Sequence, residues 1–195
     1  MTSSRNQGAR ERILETADRL FRTEGIRGVG IDRIIAESEV AKTTLYKHFA
    51  SKDDLIAVYL ERAAGPALER LEQGSALLET PETPRLIALF DVLEHWFAQD
   101  DFRGCRFTNA SLELAGSDPR IEVLVIDHKA AVRDLMVRLA IGAGVGHPEP
   151  LADQLMLLYD GAIVTAAVRH DPNAARRARE AARLLLRIAL TDTSP

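Results

Sequence analysis

One cysteine, Cys105, stands in the 195 residues. A single thiol excludes an internal disulfide and fits a reducing compartment, so a cytoplasmic location is expected. No run approaches the roughly 18 apolar residues of a membrane span, and the opening MTSSRNQGAR lacks the apolar core of a signal peptide. No membrane partner is therefore expected. There is no glycine-rich phosphate loop. His48, His95, His128, His147 and His170 show no metal-ligand spacing with the lone cysteine. Asp91 and His95, four apart, have the spacing to share a metal but read better as a surface pair. With no catalytic constellation in sight, neither an enzyme nor a bound cofactor or metal is expected. Excess positive charge is also missing. The net charge is −4 at pH 7, which alone argues against a polyanionic partner. Its distribution argues less strongly. Residues 1–55 hold ten Lys and Arg against nine Asp and Glu, while the remainder holds fifteen against twenty.

Sustained two-residue alternation is absent as well, so the chain reads as all-α, with about nine helices. With 46% hydrophobic residues it can bury a sizeable core. Residues 1–8 read as a short flexible arm, which with Arg10 just beyond it carries two arginines, Arg5 and Arg10. A first helix is expected over 9–24, where Ile13, Leu14, Ala17, Leu20 and Phe21 form one stripe and Gly25 follows as C-cap. Ile31, Ile34 and Ile35 mark a short second helix over 31–40, and a break at residues 38–40 leads into a third. Ser51 with Asp53 and Asp54 looks like the cap and first turn of a long helix that Gly65-Pro66 interrupts. Thr83 as cap and Pro84 at the first helical position open the next, which buries Leu86, Leu89, Phe90, Leu93, Trp96 and Phe97. A short helix over 105–115 and a long one over 119–141 follow, then a clear break at 142–150. Residues 151–170 are apolar almost all round and should be buried on several sides. Asp171-Pro172 begins a last helix running to the C-terminus.

Residues 40–55, VAKTTLYKHFASKDDL, organise the rest. Two short helices separated by a tight break make a helix-turn-helix, whose second helix enters the DNA major groove while the first crosses the backbone. On the second helix Leu45 and Phe49 lie four apart and anchor it inward. Lys42, Thr43, Thr44, Tyr46, Lys47 and His48 occupy the rest. Threonine can bond a base edge or touch a thymine methyl, and lysine and tyrosine suit phosphates. Lys52 sits where a phosphate would dock, and Arg33 is a further candidate. With so little net positive charge nearby, affinity would depend on a local patch and on dimerisation, and would fall as salt rises.

The pattern formed by Val40, Thr44-Leu45-Tyr46, Phe49, Ser51-Lys52 and Leu55 resembles that of the TetR family of bacterial transcription repressors. The likeness extends over about residues 9–60; beyond it only length and helix order agree. The resemblance implies a helix-turn-helix domain over 1–51 and a helical ligand-binding and dimerisation domain over 52–195. It also implies a homodimer on a palindromic double-stranded DNA operator, controlled by a small-molecule effector. Three positions depart from the pattern. Gly30 replaces the usual Thr or Ser cap, Glu39 stands where the turn often has Gly, and Thr43 stands where Gly is common. Glu39 is therefore expected at positive φ.

If an effector site exists in the later chain, its candidates are polar or aromatic groups on inward stripes. Trp96, Asn109, His128 and Tyr159 qualify, although each also reads as an ordinary core or loop residue. Cys105 joins them because Arg103 and Arg106 flank it at a loop–helix junction, a setting that favours thiolate, although an inert thiol is the simpler reading. The surplus apolar and small-residue surface of the last two helices suits a four-helix contact with a second copy. The competing reading is an all-helical carrier or enzyme in which the N-terminal motif only packs.

Overall fold

A computed structural model describes residues 2–191, with side chains from residue 8 onward. Among the described residues there are nine helices and no strand. They are α1 (Thr2–Glu24), α2 (Ile31–Glu37), α3 (Lys42–His48), α4 (Lys52–Leu77), α5 (Arg85–Phe97), α6 (Arg106–Glu113), α7 (Pro119–Gly142), α8 (Pro148–Arg169) and α9 (Ala174–Thr191). The arm expected at 1–8 is helical from Thr2 onward. The side chain of Arg5, and residues 192–195, over which the last helix is expected to continue, lie outside the described residues. By contact the chain divides into two units, 1–64 with 106–126 and 65–105 with 127–195.

In the first unit the apolar stripe of α1 is wholly buried: Ile13, Leu14, Ala17, Leu20 and Phe21 are each under 5% exposed. α2 and α3 pack on it and on each other. Gly25 ends α1 at φ +81, the left-handed C-cap that glycine adopts without strain. The close approach of Glu113 adds a second reason for glycine here, since a Cβ would lie 3.0 Å from its Oε2. Glu113 also accepts the Arg27 backbone N–H at 2.8 Å. Arg106 pairs with Asp18 at 2.8 Å and lies over the Tyr59 ring at 5.3 Å, while Tyr59 meets Phe21 edge-on at 5.4 Å. These contacts recruit α6 to the three N-terminal helices.

At the start of α4, the side chains of Ser51 and Asp54 each accept a backbone N–H. The Asp54 N–H donates to Ser51 Oγ at 3.0 Å, and the Ala50 N–H donates to Asp54 Oδ2 at 3.1 Å. Pro66, expected to interrupt this helix, lies inside it.

In the second unit α9 packs on both α5 and α8. Ala174, Ala175, Ala178 and Ala182 are buried, so the small stripe of α9 permits close approach. Arg179 forms an ion pair with Asp91, and Arg183 donates to Thr83 Oγ1 at 2.8 Å. Thr83 therefore does not cap α5. Pro84 is the N-cap without a side-chain bond, and Thr80 and Thr83 exchange backbone hydrogen bonds at 3.0 Å.

α8 corrects two expectations. By length and composition it is apolar enough to cross a membrane, although no such run was read from the sequence, where Asp153, Asp160 and Gly161 punctuate the stretch. Nor is it buried on several sides, for only 39% of its apolar window is covered. Leu151, Leu155, Tyr159, Ala162, Ile163 and Ala166 face inward, while Leu157, Val164 and Val168 stay exposed.

Candidate nucleic-acid interface

The surface formed by α2 and α3 is fixed by short-range rules. α2 begins at Gly30, whose extended backbone offers no side-chain cap. At its other end Ser38 is buried and its hydroxyl donates to the Ile34 carbonyl at 2.6 Å. Glu39 follows at φ 53, the left-handed conformation expected where a turn glycine is missing. α3 then starts from Ala41, again without a side-chain cap. Leu45 and Phe49 are completely buried, and they anchor α3 against α1 and α2 so that its other face looks outward.

That outward face carries the residues singled out from the sequence, in three different states. Thr43, Tyr46 and Lys47 are exposed, Tyr46 by 45%, while Thr44 is half-buried. Their hydroxyls and ammonium stand ready for acceptors such as phosphate oxygens and base edges. A second group is exposed but already paired. Lys42 donates to Asp32 at 3.0 Å, and this hydrogen bond holds its ammonium above the ordinary lysine range. Arg33 bonds both Glu24 and Glu37, the latter at 2.8 Å. Glu37 also receives Arg19 at 2.7 Å, and the two guanidiniums, Arg19 foremost, hold its carboxyl below the usual range. The third group is turned inward. Lys52 donates to the Ile26 carbonyl at 2.6 Å, and partial burial pulls its ammonium below the lysine range. His48 leans on Phe49, 6.4 Å between ring centres, with its Nε2 buried and without a partner.

Two arginines of α1 touch this surface. Arg10 lies over the Phe49 ring at 5.4 Å, and Arg12 Nε donates to the Ser38 carbonyl at 3.4 Å. The Arg33–Glu37 pair was legible from its four-residue spacing. Arg10 and the Lys42–Asp32 pair join residues far apart in sequence and had no such signal.

Residues 13–59 match the family model described as bacterial regulatory proteins, tetR family. A crystallised TetR-family transcriptional regulator from Streptomyces coelicolor is 32% identical, covers 94% of this chain and 90% of its own, and superposes with a TM-score of 0.84. The chain belongs to the TetR family of transcriptional regulators. A putative TetR regulator from Streptomyces avermitilis is 27% identical over 93% of this chain and 97% of its own, with a TM-score of 0.79. YxaF, an uncharacterized HTH-type transcriptional regulator of Bacillus subtilis, is 34% identical over 82 residues. That match spans 42% of each protein, less than half the length of the Bacillus relative.

Within this TetR-family chain the five effector candidates separate. Trp96, Cys105, His128 and Tyr159 belong to the second unit, whereas Asn109 lies exposed on α6 in the first. Trp96 meets Phe102 edge-on at 5.1 Å and carries the Arg70 guanidinium over its ring at 6.0 Å. Tyr159 is buried, and desolvation, with the nearby Cys105 and Asp160 adding to it, pushes its phenol far above the ordinary range. His128 is buried on α7. Cys105 is buried too, and its flanking arginines are engaged elsewhere: Arg106 on Asp18, Arg103 on the carbonyls of Asp100 and Phe102. Asp91 and His95 do not form a carboxylate–imidazole pair. The Asp91 carboxylate goes to Arg179, and His95 Nδ1 donates to the Asp91 carbonyl at 2.8 Å.

Proposed function

We propose that this chain is a dimeric, ligand-responsive repressor that reads a palindromic DNA operator with α3. The observation that carries the reading is the outward face of α3, where Thr43, Tyr46 and Lys47 stand exposed while Leu45 and Phe49 are fully buried beneath them. In this reading Thr43, Thr44 and Tyr46 meet bases and sugar–phosphate, and Lys47 meets a phosphate. Arg33, Lys42 and Lys52 reach phosphates by exchanging their present partners, and His48 closes the end of the helix.

A second copy joins through α8 and α9. Support comes from the apolar residues these helices leave uncovered: Leu157, Val164 and Val168 on α8, and Leu184, Ile188 and Leu190 on α9. Symmetry then sets two α3 helices about one DNA turn apart, roughly 34–36 Å. A small-molecule effector in the second unit binds the DNA-competent and incompetent arrangements unequally and thereby shifts their populations. The protein works in the cytoplasm and performs no catalysis.

The test is fluorescence anisotropy of the full chain on a duplex from its own upstream region, over a range of salt. A steep loss of affinity with salt is expected, and Tyr46→Ala with Lys47→Ala should abolish binding while leaving the circular dichroism spectrum unchanged. A chain that ignores DNA at every salt concentration, or runs as a monomer in sedimentation, overturns the reading in favour of a helical carrier or enzyme.

A further inference from the structure

Several cations near α2 and α3 are already neutralised by a carboxylate. Arg33 bonds Glu24 and Glu37, Arg19 bonds Glu37 at 2.7 Å, and Lys42 bonds Asp32 at 3.0 Å. Arg10 and Arg12 of α1 differ. Both are exposed, and neither forms an ion pair among the described residues. The acid between them, Glu11, is turned to Arg62 on α4 and neutralised there. Each arginine is nevertheless held, and by the helix-turn-helix in both cases. The Arg10 guanidinium lies over the Phe49 ring at 5.4 Å, within reach of cation–π attraction. Phe49 is completely buried and is the C-cap of α3, so it offers a fixed platform. Arg12 donates through Nε, at 3.4 Å, to the carbonyl of Ser38, the C-cap of α2. One tether thus lies at the end of the reading helix and the other at the turn before it.

A guanidinium carries five N–H donors. Stacking on a ring uses none of them, and the Ser38 bond uses one of Arg12's. The remaining donors are open to acceptors, and the planar fork fits two phosphate oxygens at once. A cation paired with a carboxylate must first give up its partner, and the released acid then repels a polyanion. Neither penalty applies to Arg10 or Arg12. We propose that Arg10 and Arg12 bind phosphates of double-stranded DNA, so that α1 clamps the duplex backbone from two points on the helix-turn-helix. Such contacts position the motif and carry no base preference. This inference rests on the DNA reading above and extends it to a helix outside the motif.

The test is anisotropy of the full chain over a range of salt, on a duplex from its own upstream region and on one of the same composition in scrambled order. Arg10→Gln and Arg12→Gln should each lower the slope of log affinity against log salt by about 0.9, and the double variant by about twice that. Each should raise Kd about five- to twenty-fold at moderate salt, by the same factor on both duplexes. Arg10→Lys and Arg12→Lys keep the charge and should keep the slope. Arg138→Gln, which removes a positive charge from the second unit, should change neither quantity. A loss of affinity with an unchanged slope marks a structural role and overturns the proposal. So does a slope lowered as much by lysine as by glutamine, a loss confined to one duplex, or an equal loss in Arg138→Gln. A parent protein that binds while both glutamine variants match it overturns this proposal alone. A parent that binds neither duplex at any salt overturns the DNA reading with it.

Discussion

The Lys42 ammonium on α3 donates to the Asp32 carboxylate on α2 at 3.0 Å. The pair spans the two halves of the helix-turn-helix and places an acid beside a cation proposed to meet phosphate. Both side chains are well exposed, so the bond adds little to stability. Its effect on binding is larger, because Asp32 both occupies Lys42 and repels a polyanion. Asp32→Asn should tighten operator binding about two- to five-fold. It should also steepen the dependence of log affinity on log salt by up to about one unit. Anisotropy titrations at several salt concentrations check both, and an unchanged affinity and slope would remove Asp32 from the account.

Glu39 holds a left-handed backbone, φ 53, without the freedom of glycine. Its N–H and that of Val40 bond back to the carbonyls of Ala36 and Ile35, both at 3.4 Å, so the turn keeps this conformation. Glu39→Gly should relieve the strain and stabilise the protein by about 0.5–1 kcal/mol, the glycine's extra unfolded-state entropy taking back part of the gain. Urea denaturation reads this as a higher midpoint with an unchanged slope. Glu39→Val should act in the opposite direction.

Gly74 on α4 sits where a Cβ would come within 2.8 Å of Val92 Cγ2 on α5. Both atoms are parts of well-packed helices, so the clash cannot be relieved by swinging a flexible tip. Gly74→Ala should destabilise by about 1–3 kcal/mol despite alanine's better helix propensity. Val92→Ala should restore part of the loss in the double variant, and strict additivity of the two changes would show that the contact is not the cause.

Glu37 accepts hydrogen bonds from both Arg19 and Arg33, and its carboxyl is held below the ordinary range. A carboxylate whose folded pKa is depressed contributes stability that is fully present above its unfolded pKa. That contribution is lost as pH falls through the folded value. Glu37→Gln should therefore lower the melting temperature at neutral pH, and the gap to the parent protein should close as pH falls below the normal glutamate range. A gap that is constant with pH would point to packing rather than charge.

How much of this was legible beforehand depends on the distance over which each feature is decided. Ser51 and Asp54 cap α4 from three residues apart, Gly25 ends α1, and Glu39 takes positive φ because a neighbouring turn demands it. All three are local, and composition and spacing suffice for them. The inward anchors Leu45 and Phe49 follow from one helical turn. The electrostatic state of the reading surface is different. Lys52 is drawn to the Ile26 carbonyl, 26 residues away in sequence, and Arg106 to Asp18 across 88. No periodicity encodes such pairs.

The sequence alone determined that the chain is helical, where most helices begin, and which face of α3 is apolar, since backbone propensity, capping and 3.6-residue periodicity act within a few residues. Tertiary structure alone decided which cations near α3 are already engaged, that α6 and the start of α7 join the N-terminal helices, and that the Asp91 carboxylate goes to Arg179. Those outcomes depend on which side chains meet after distant segments have packed, and packing across dozens of residues leaves no regular trace in the order of the amino acids.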